Sequence, residues 1–303
     1  MTLKNRAPRA SASLLSFAAL LLGSATCPAA SDTWQDRVSS IIGWKGQNMP
    51  DEVLRFTLVP SLRSSIANKN VWPNLALDGY AAFHAEGSRT LVVAEIATVQ
   101  SRVDAVVDAA TAAGLHVSAV HNHLVNESPR LMFVHMSAYG DPVALARGVR
   151  AALRATGVDV HRDDDAEDAD DVAPGLDRKA LEAILKSDGT PIDGVLEFSF
   201  DRPETFTLDG HALPSAMGPE SEVHFQSLRS GGAVEVAEIA LLQPEVEKAL
   251  RVLKASGQHV SVSALHNHFT DESPRLFFLH TWGMGDADSL ARTIRQVLNQ
   301  TPQ

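Results

Sequence analysis

Two hydrophobic periods take turns along the chain. Residues 92–97 (VVAEIA) are apolar apart from Glu95 and predict a strand. Over residues 100–113, Val103, Val106, Val107 and Ala110 recur at the i, i+3, i+4, i+7 spacing of a helix, which Gly114 ends. Residues 115–123 and 131–136 predict two further strands. Asp141 followed by Pro142 then reads as a cap and first helical position, for a helix running to about residue 153. The same order returns later, with Asp286 capping a helix over residues 287–298, and strand-like segments such as residues 195–200 come before it. Strand, helix, strand, strand, helix predicts an α+β sandwich of the split βαβ, ferredoxin-like type, its helices on one sheet face. Two such domains in one chain are expected to pack against each other.

The recurrence is a duplication. HNHLVNESPRLMFVH (residues 121–135) returns as HNHFTDESPRLFFLH (residues 266–280), identical at ten of fifteen positions at an offset of 145. VAEIA (residues 93–97) returns unchanged at residues 236–240, at an offset of 143. The two-residue difference is placed between the pairs His116/His259 and His121/His266. A period this long is a whole domain and not a solenoid repeat. Between the copies, residues 161–171 carry seven acids in eleven positions, too self-repelling to pack, and read as a solvated linker. The expected organisation is a signal peptide over residues 1–30, a first repeat domain over 31–160, an acidic linker over 161–175 and a second repeat domain over 176–303.

The leader expectation rests on Lys4, Arg6 and Arg9, a short apolar run over residues 14–22, and small residues at 25–30. The run is too short for a membrane span of about 20 residues. Cleavage after Ala29 or Ala30 would give a periplasmic or secreted protein. A lipid anchor on Cys27 is the alternative, though Thr26 stands where Gly, Ala or Ser is expected. Either way the mature chain has no free thiol, which excludes disulfides and thiolate catalysis. The formal net charge of -11 carries no basic run and argues against nucleic acid as a partner.

Twelve histidines are the unusual part of the composition. His121 and His123 leave one face of a strand end, a spacing that lets two imidazoles chelate one ion. Glu127 and His135 follow, and His266, His268, Glu272 and His280 repeat the set. With thiols absent, nitrogen and oxygen ligands suit a divalent transition metal: zinc first, then copper, nickel, iron or manganese. A simple hairpin would set His135 opposite about position 118, some three residues or about 10 Å from His121, so that it joins only by another route. Glu95 and Glu238 are supporting candidates, because a buried acid needs a partner. Arg130 and Arg275 either bind an anion or pair with Glu127 and Glu272 to order the turn, the latter being favoured. Three functional readings follow: metal binding; a metal-dependent hydrolase or lyase with Glu127 or Glu272 as general base; and a metal-free module for a small organic ligand. His84, His161, His211 and His224 have no counterparts in the other copy and are expected to be incidental. No phosphate loop, nucleophile elbow or His-Glu-x-x-His helix is present in the sequence.

His-x-His followed by Glu resembles the first cupin motif, but Val134 replaces the expected glycine and helices interrupt the strands. The fuller string runs from the acid of the first strand through HNH, ESPR and the strand-terminal His to Gly-Asp-Pro. It resembles the LppY/LpqO family of exported bacterial proteins and lipoproteins, over residues 34–153 and 176–298. Copy two departs with Asp286-Ala287 for Asp141-Pro142 and Gly283-Met284 for Ala138-Tyr139. That resemblance implies export and a unified fold, and no activity.

Overall fold

The central strands of each repeat are apolar on both faces because each sheet is covered twice. In the computed structural model, residues 33–161, 175–257 and 260–302 are described. The proposed leader with Cys27, nearly all of the acidic run and His259 lie outside them.

The first repeat opens with α1 (Trp34–Ile42), β1 (Gln47–Met49), β2 (Val53–Pro60), β3 (Ser64–Ile66), β4 (Lys69–Val71) and β5 (Gly79–Glu86). It continues with β6 (Arg89–Val99), α2 (Val103–Ala112), β7 (His116–His121), β8 (Glu127–Ser128), β9 (Leu131–Gly140), α3 (Pro142–Ala155) and β10 (Val160–His161). The second repeat opens with α4 (Arg178–Leu185), β11 (Thr190–Ile192), β12 (Val195–Phe200), β13 (Phe206–Leu208), β14 (His211–Leu213) and β15 (Ser221–Ser227). It ends with β16 (Ala233–Leu242), α5 (Gln243–Ala255), β17 (Val260–His266), β18 (Glu272–Ser273), β19 (Leu276–Gly285) and α6 (Ala287–Leu298). Asp141 and Asp286 cap α3 and α6 by accepting from the backbone N–H of Ala144 and Ser289.

The main sheets run β1-β2-β5-β6-β9-β7 and β11-β12-β15-β16-β19-β17. β9 lies antiparallel to both β6 and β7, so β6-α2-β7 is a parallel crossover with β9 inserted between its strands. That is the expected split βαβ unit, and β16-α5-β17 with β19 repeats it. One difference from a ferredoxin-like chain order emerges. The strand beside β6 is β5, which precedes the unit, whereas the strand after α3, β10, joins β2 instead.

Alternation along β6 assigns the layers. Val92, Ala94 and Ile96 pack with Val106, Ala110 and Val149 of the helices. Leu91 and Val93 face the other way and share a cluster with Phe206, Leu208, Leu213 and Met217 of the second repeat. Reciprocally, Ile66, Val71, Leu75 and Leu77 of the first repeat pack with Val195, Val234 and Val236 of the second. Each repeat thus lays its β3–β4 or β13–β14 arm on the other's sheet, and the layers run helices, sheet, sheet, helices. β8 and β18 pair with β3 and β13, which ties the ESPR turns to those arms.

The strand registers also correct one sequence alignment. His116 faces Ser137 and Ser261 faces Trp282, which are equivalent positions on β9 and β19. The counterpart of His116 is therefore Ser261, not His259, and the two extra residues of copy two come before β17.

Candidate metal centre

The duplicated motifs do not build two separate sites. The six motif histidines meet in one cluster between the sheets, joined by Glu95 and Glu238; all are buried but His266 and Glu238, which are half-buried. Register places the acids: Glu95 lies directly across from His135, and Glu238 from His280. His135 lies across from Ala119, one residue from the hairpin expectation, because β7 bulges between Val117 and Ala119. His121 is the diagonal neighbour on that face, and imidazoles span the diagonal: His135 Nε2 and His121 Nε2 are 2.8 Å apart. His135 therefore joins the His-x-His pair.

Across the two halves the rings pair as His121 with His266, His123 with His280, and His135 with His268, at centroid separations of 3.8, 4.4 and 3.9 Å, the first pair tilted and the other two stacked. Exchanging the copies maps the first pair onto itself and the other two onto each other. A pseudo-twofold axis thus passes between His121 and His266. Ser118 Oγ donates to the carbonyl of His268 and Ser263 Oγ to that of His123, so each His-x-His backbone is pinned by the opposite half. Asn122 and Asn267 tie the same loops with side-chain amide bonds to the carbonyls of Leu124 and Leu276.

Ring nitrogens converge on the two carboxylates. The Ala76 carbonyl, 2.6 Å from His123 Nδ1, can only accept, so Nδ1 carries the hydrogen and Nε2 is the nitrogen turned to the cluster. That Nε2 faces Glu95 Oε1 at 3.0 Å, itself an acceptor. Nε2 of His135 and of His121 lie 3.5 and 3.9 Å from the same oxygen. Across the axis, His280 Nε2 and His268 Nδ1 lie 3.5 and 3.7 Å from the Glu238 carboxylate. Among the described residues, a buried ring nitrogen of each of the six histidines, and Glu95 Oε1, find no hydrogen-bond partner.

Burial pushes His121, His268 and His280 well below the ordinary imidazole range, and takes His135 and His266 down to about 4. Neutral rings present lone pairs. Glu95 is held below the usual carboxylate range: burial works against ionisation there, and His135 and His123 outweigh it. Glu238 is pushed well above that range by burial, then by Glu95 and Glu222. Three sets of donor atoms lie within 4.8 Å of one another: His121, His266, His268 and His280; Glu95, His121 and His123; and His123, Glu238 and His280. These are chemically suited to a cation of N/O preference.

Glu127 and Glu272 belong to none of these sets among the described residues. Their Oε1 atoms accept from the backbone N–H of Leu131 and Leu276 at 3.2 and 3.0 Å. Arg130 and Arg275 lie 3.8 and 3.5 Å from those carboxylates, so acid and base together order the turn. The reason is local: β8 pairs with β3, which fixes Glu127 opposite Ile66 and turns it away from the axis.

Sequence reasoning passed over a second polar group beside Glu238. Buried His224 faces Glu197 at 3.5 Å, and Arg55 approaches Glu220 and Glu222 at 3.7 and 3.9 Å. Burial and then Glu222 push Glu220 up to about 8; burial also takes Asp78 to about 8. His224 is therefore not incidental. Its strand, SEVHFQS, alternates polar with apolar, a pattern that ordinarily marks a solvent face; here Glu222 and Gln226 of that face meet Arg55, Asn70 and Trp72 of the other repeat. His211 is likewise engaged, its Nδ1 2.7 Å from Glu86 across the halves.

The profile of a Domain of Unknown Function (DUF1259) matches residues 36–155 and 179–300, most of the chain, once per repeat. The chain belongs to the DUF1259 family. No curated protein matches it. Among solved structures, EtuB from Clostridium kluyveri is similar at 10% identity over 84% of this chain and 90% of that one, with a TM-score of 0.19. A trimeric bacterial microcompartment shell protein, PduB, is similar at 10% identity over 83% and 87%, with a TM-score of 0.21. Such TM-scores support no structural inference for the DUF1259 repeats. No helix among the described residues is long and apolar enough to cross a membrane.

Proposed function

We propose that this protein binds a divalent transition metal in one centre shared by its two repeats. The carrying observation is the convergence of buried ring nitrogens and a carboxylate oxygen that have no hydrogen-bond partner among the described residues. A buried polar atom left unpaired costs about 1–3 kcal/mol, and a cation among them removes that cost several times over. Zinc is the first choice, with copper, nickel, iron or manganese compatible with the same donors. The Nδ1–H of His123 on the Ala76 carbonyl is the kind of outer contact that aims a ligating ring.

Binding is favoured over a hydrolase or lyase using Glu127 or Glu272, because both acids are engaged with the turn backbone. The basic, apolar, small-residue leader supports export to the periplasm or beyond. The HNH–ESPR string supports kinship with LppY/LpqO proteins.

Elemental analysis of the untagged mature protein tests this, with His121→Ala/His123→Ala and His266→Ala/His268→Ala beside it. Stoichiometric metal that either double substitution disturbs as a whole is expected. No metal after reconstitution with all five ions would overturn the reading and leave the cluster as a network for an organic ligand or for the fold.

A further inference from the structure

Resting on the metal-binding reading above, we infer that the centre holds two ions side by side, one at Glu95 and one at Glu238. The argument begins with the number of donors. Six imidazoles and two carboxylates converge on the axis. Closed zinc sites take about four protein ligands and octahedral ions about six, so one ion leaves several buried donors unmatched. Two ions divide the set evenly, three nitrogens and one carboxylate each.

The contacts of each glutamate follow that division, while His121, His266, His268 and His280 converge across it. Glu95 has His121, His123 and His135 around Oε1 at 3.9, 3.0 and 3.5 Å. Glu238 has His280 and His268 at 3.5 and 3.7 Å, and His266 lies within 4.8 Å of both rings. Exchanging the copies carries one quartet onto the other, as two ions related by the pseudo-twofold axis require. A single ion on that axis would instead sit between His121 and His266, the self-paired rings, and leave both carboxylates off-centre.

The quartets are also adjacent. His121 belongs to the Glu95 set and lies within 4.8 Å of His266, His268 and His280, while His123 reaches Glu238 Oε2 at 4.0 Å. The structure thus assigns a dinuclear centre and not two isolated sites.

The test is metal stoichiometry on the untagged mature protein reconstituted with zinc, followed by electron paramagnetic resonance of the copper(II) form. Two zinc ions per chain are expected, together with a copper spectrum broadened or silenced by coupling. Glu95→Gln and Glu238→Gln, checked for folding by circular dichroism, should each lower the content to one ion. One ion per wild-type chain would overturn the dinuclear inference and leave the binding function standing. Two copper ions with sharp, uncoupled signals would overturn the shared centre, again without touching binding. Zero ions would remove both.

Discussion

The two repeats match at one end of a row of side chains and part company at the other. Across the first sheet the row reads Thr57, Tyr80, Glu95, His135; across the second it reads Ser199, Glu222, Glu238, His280. The last two positions are the same residue types, whereas Tyr80 stands where the second repeat has Glu222. Two residues along the outer strands of that row, Arg55 corresponds to Glu197 and Ala82 to His224. Symmetry explains where divergence is allowed. At the axis the motif residues of one copy meet motif residues of the other, so a change in one copy must suit both. Off the axis a residue meets a different position, and complementary change becomes possible: Arg55 of one copy lies against Glu220 and Glu222 of the other.

The largest expected effect comes from a divergence on the helix side. Glu235 replaces Val92 and Thr281 replaces Met136, and Thr281 Oγ1 donates to the fully buried Glu235 at 3.2 Å. Burial lifts Glu235 from 4.5 to about 8. A carboxyl raised in the fold favours folding fully below its unfolded value and loses that contribution as pH climbs to the folded one. Wild-type stability should therefore fall between about pH 4.5 and 8, with Asp78 and Glu220 adding the same sign. Glu235→Val/Thr281→Met, importing copy one's pair, should recover a few kcal/mol at pH 8, on the order of 1.4 per pH unit. Urea midpoints at pH 5 and pH 8 would show it; an unchanged slope would mean that the acid is not the source.

Next comes the off-axis charge. Arg55→Met should cost about 2 kcal/mol in chemical denaturation, moderated from the value for a fully buried pair because Arg55 keeps some solvent. A neutral outcome would show that the divergence off the axis is drift and not complementarity. The smallest effect tests the axis itself. Ser118→Ala and Ser263→Ala each remove one bond to the opposite motif and should cost about 1 kcal/mol apiece. Equal losses are expected, and a marked inequality would break the symmetry argument.

The repeat and its elements were legible in the sequence to differing depths. The strand at residues 195–200 and the helix at 287–298 appear where their patterns place them, because alternation and an Asp cap are local signals. β6 and β9 run several residues beyond their predicted limits, since pairing within the sheet extends what hydrophobicity alone marks. The histidines were legible as a group, but their meeting point was not. A bulge after Val117 and a partner half contributed by another part of the chain are tertiary facts, and no spacing encodes them. Glu127 illustrates the converse: proximity in sequence to His123 suggested a ligand, and pairing of β8 with β3 directs it to the turn.

The reciprocal arms carry a consequence for dilution. A single repeat would bare Val53, Ala82, Leu91 and Val93, which the other repeat's arm covers, and would hold only one of the two glutamates. As separate chains the halves would assemble only at concentrations above their dissociation constant. Joined in one chain, they meet at an effective concentration on the order of millimolar however dilute the protein becomes. The centre then forms at a rate and yield set by folding, independent of how many molecules are present.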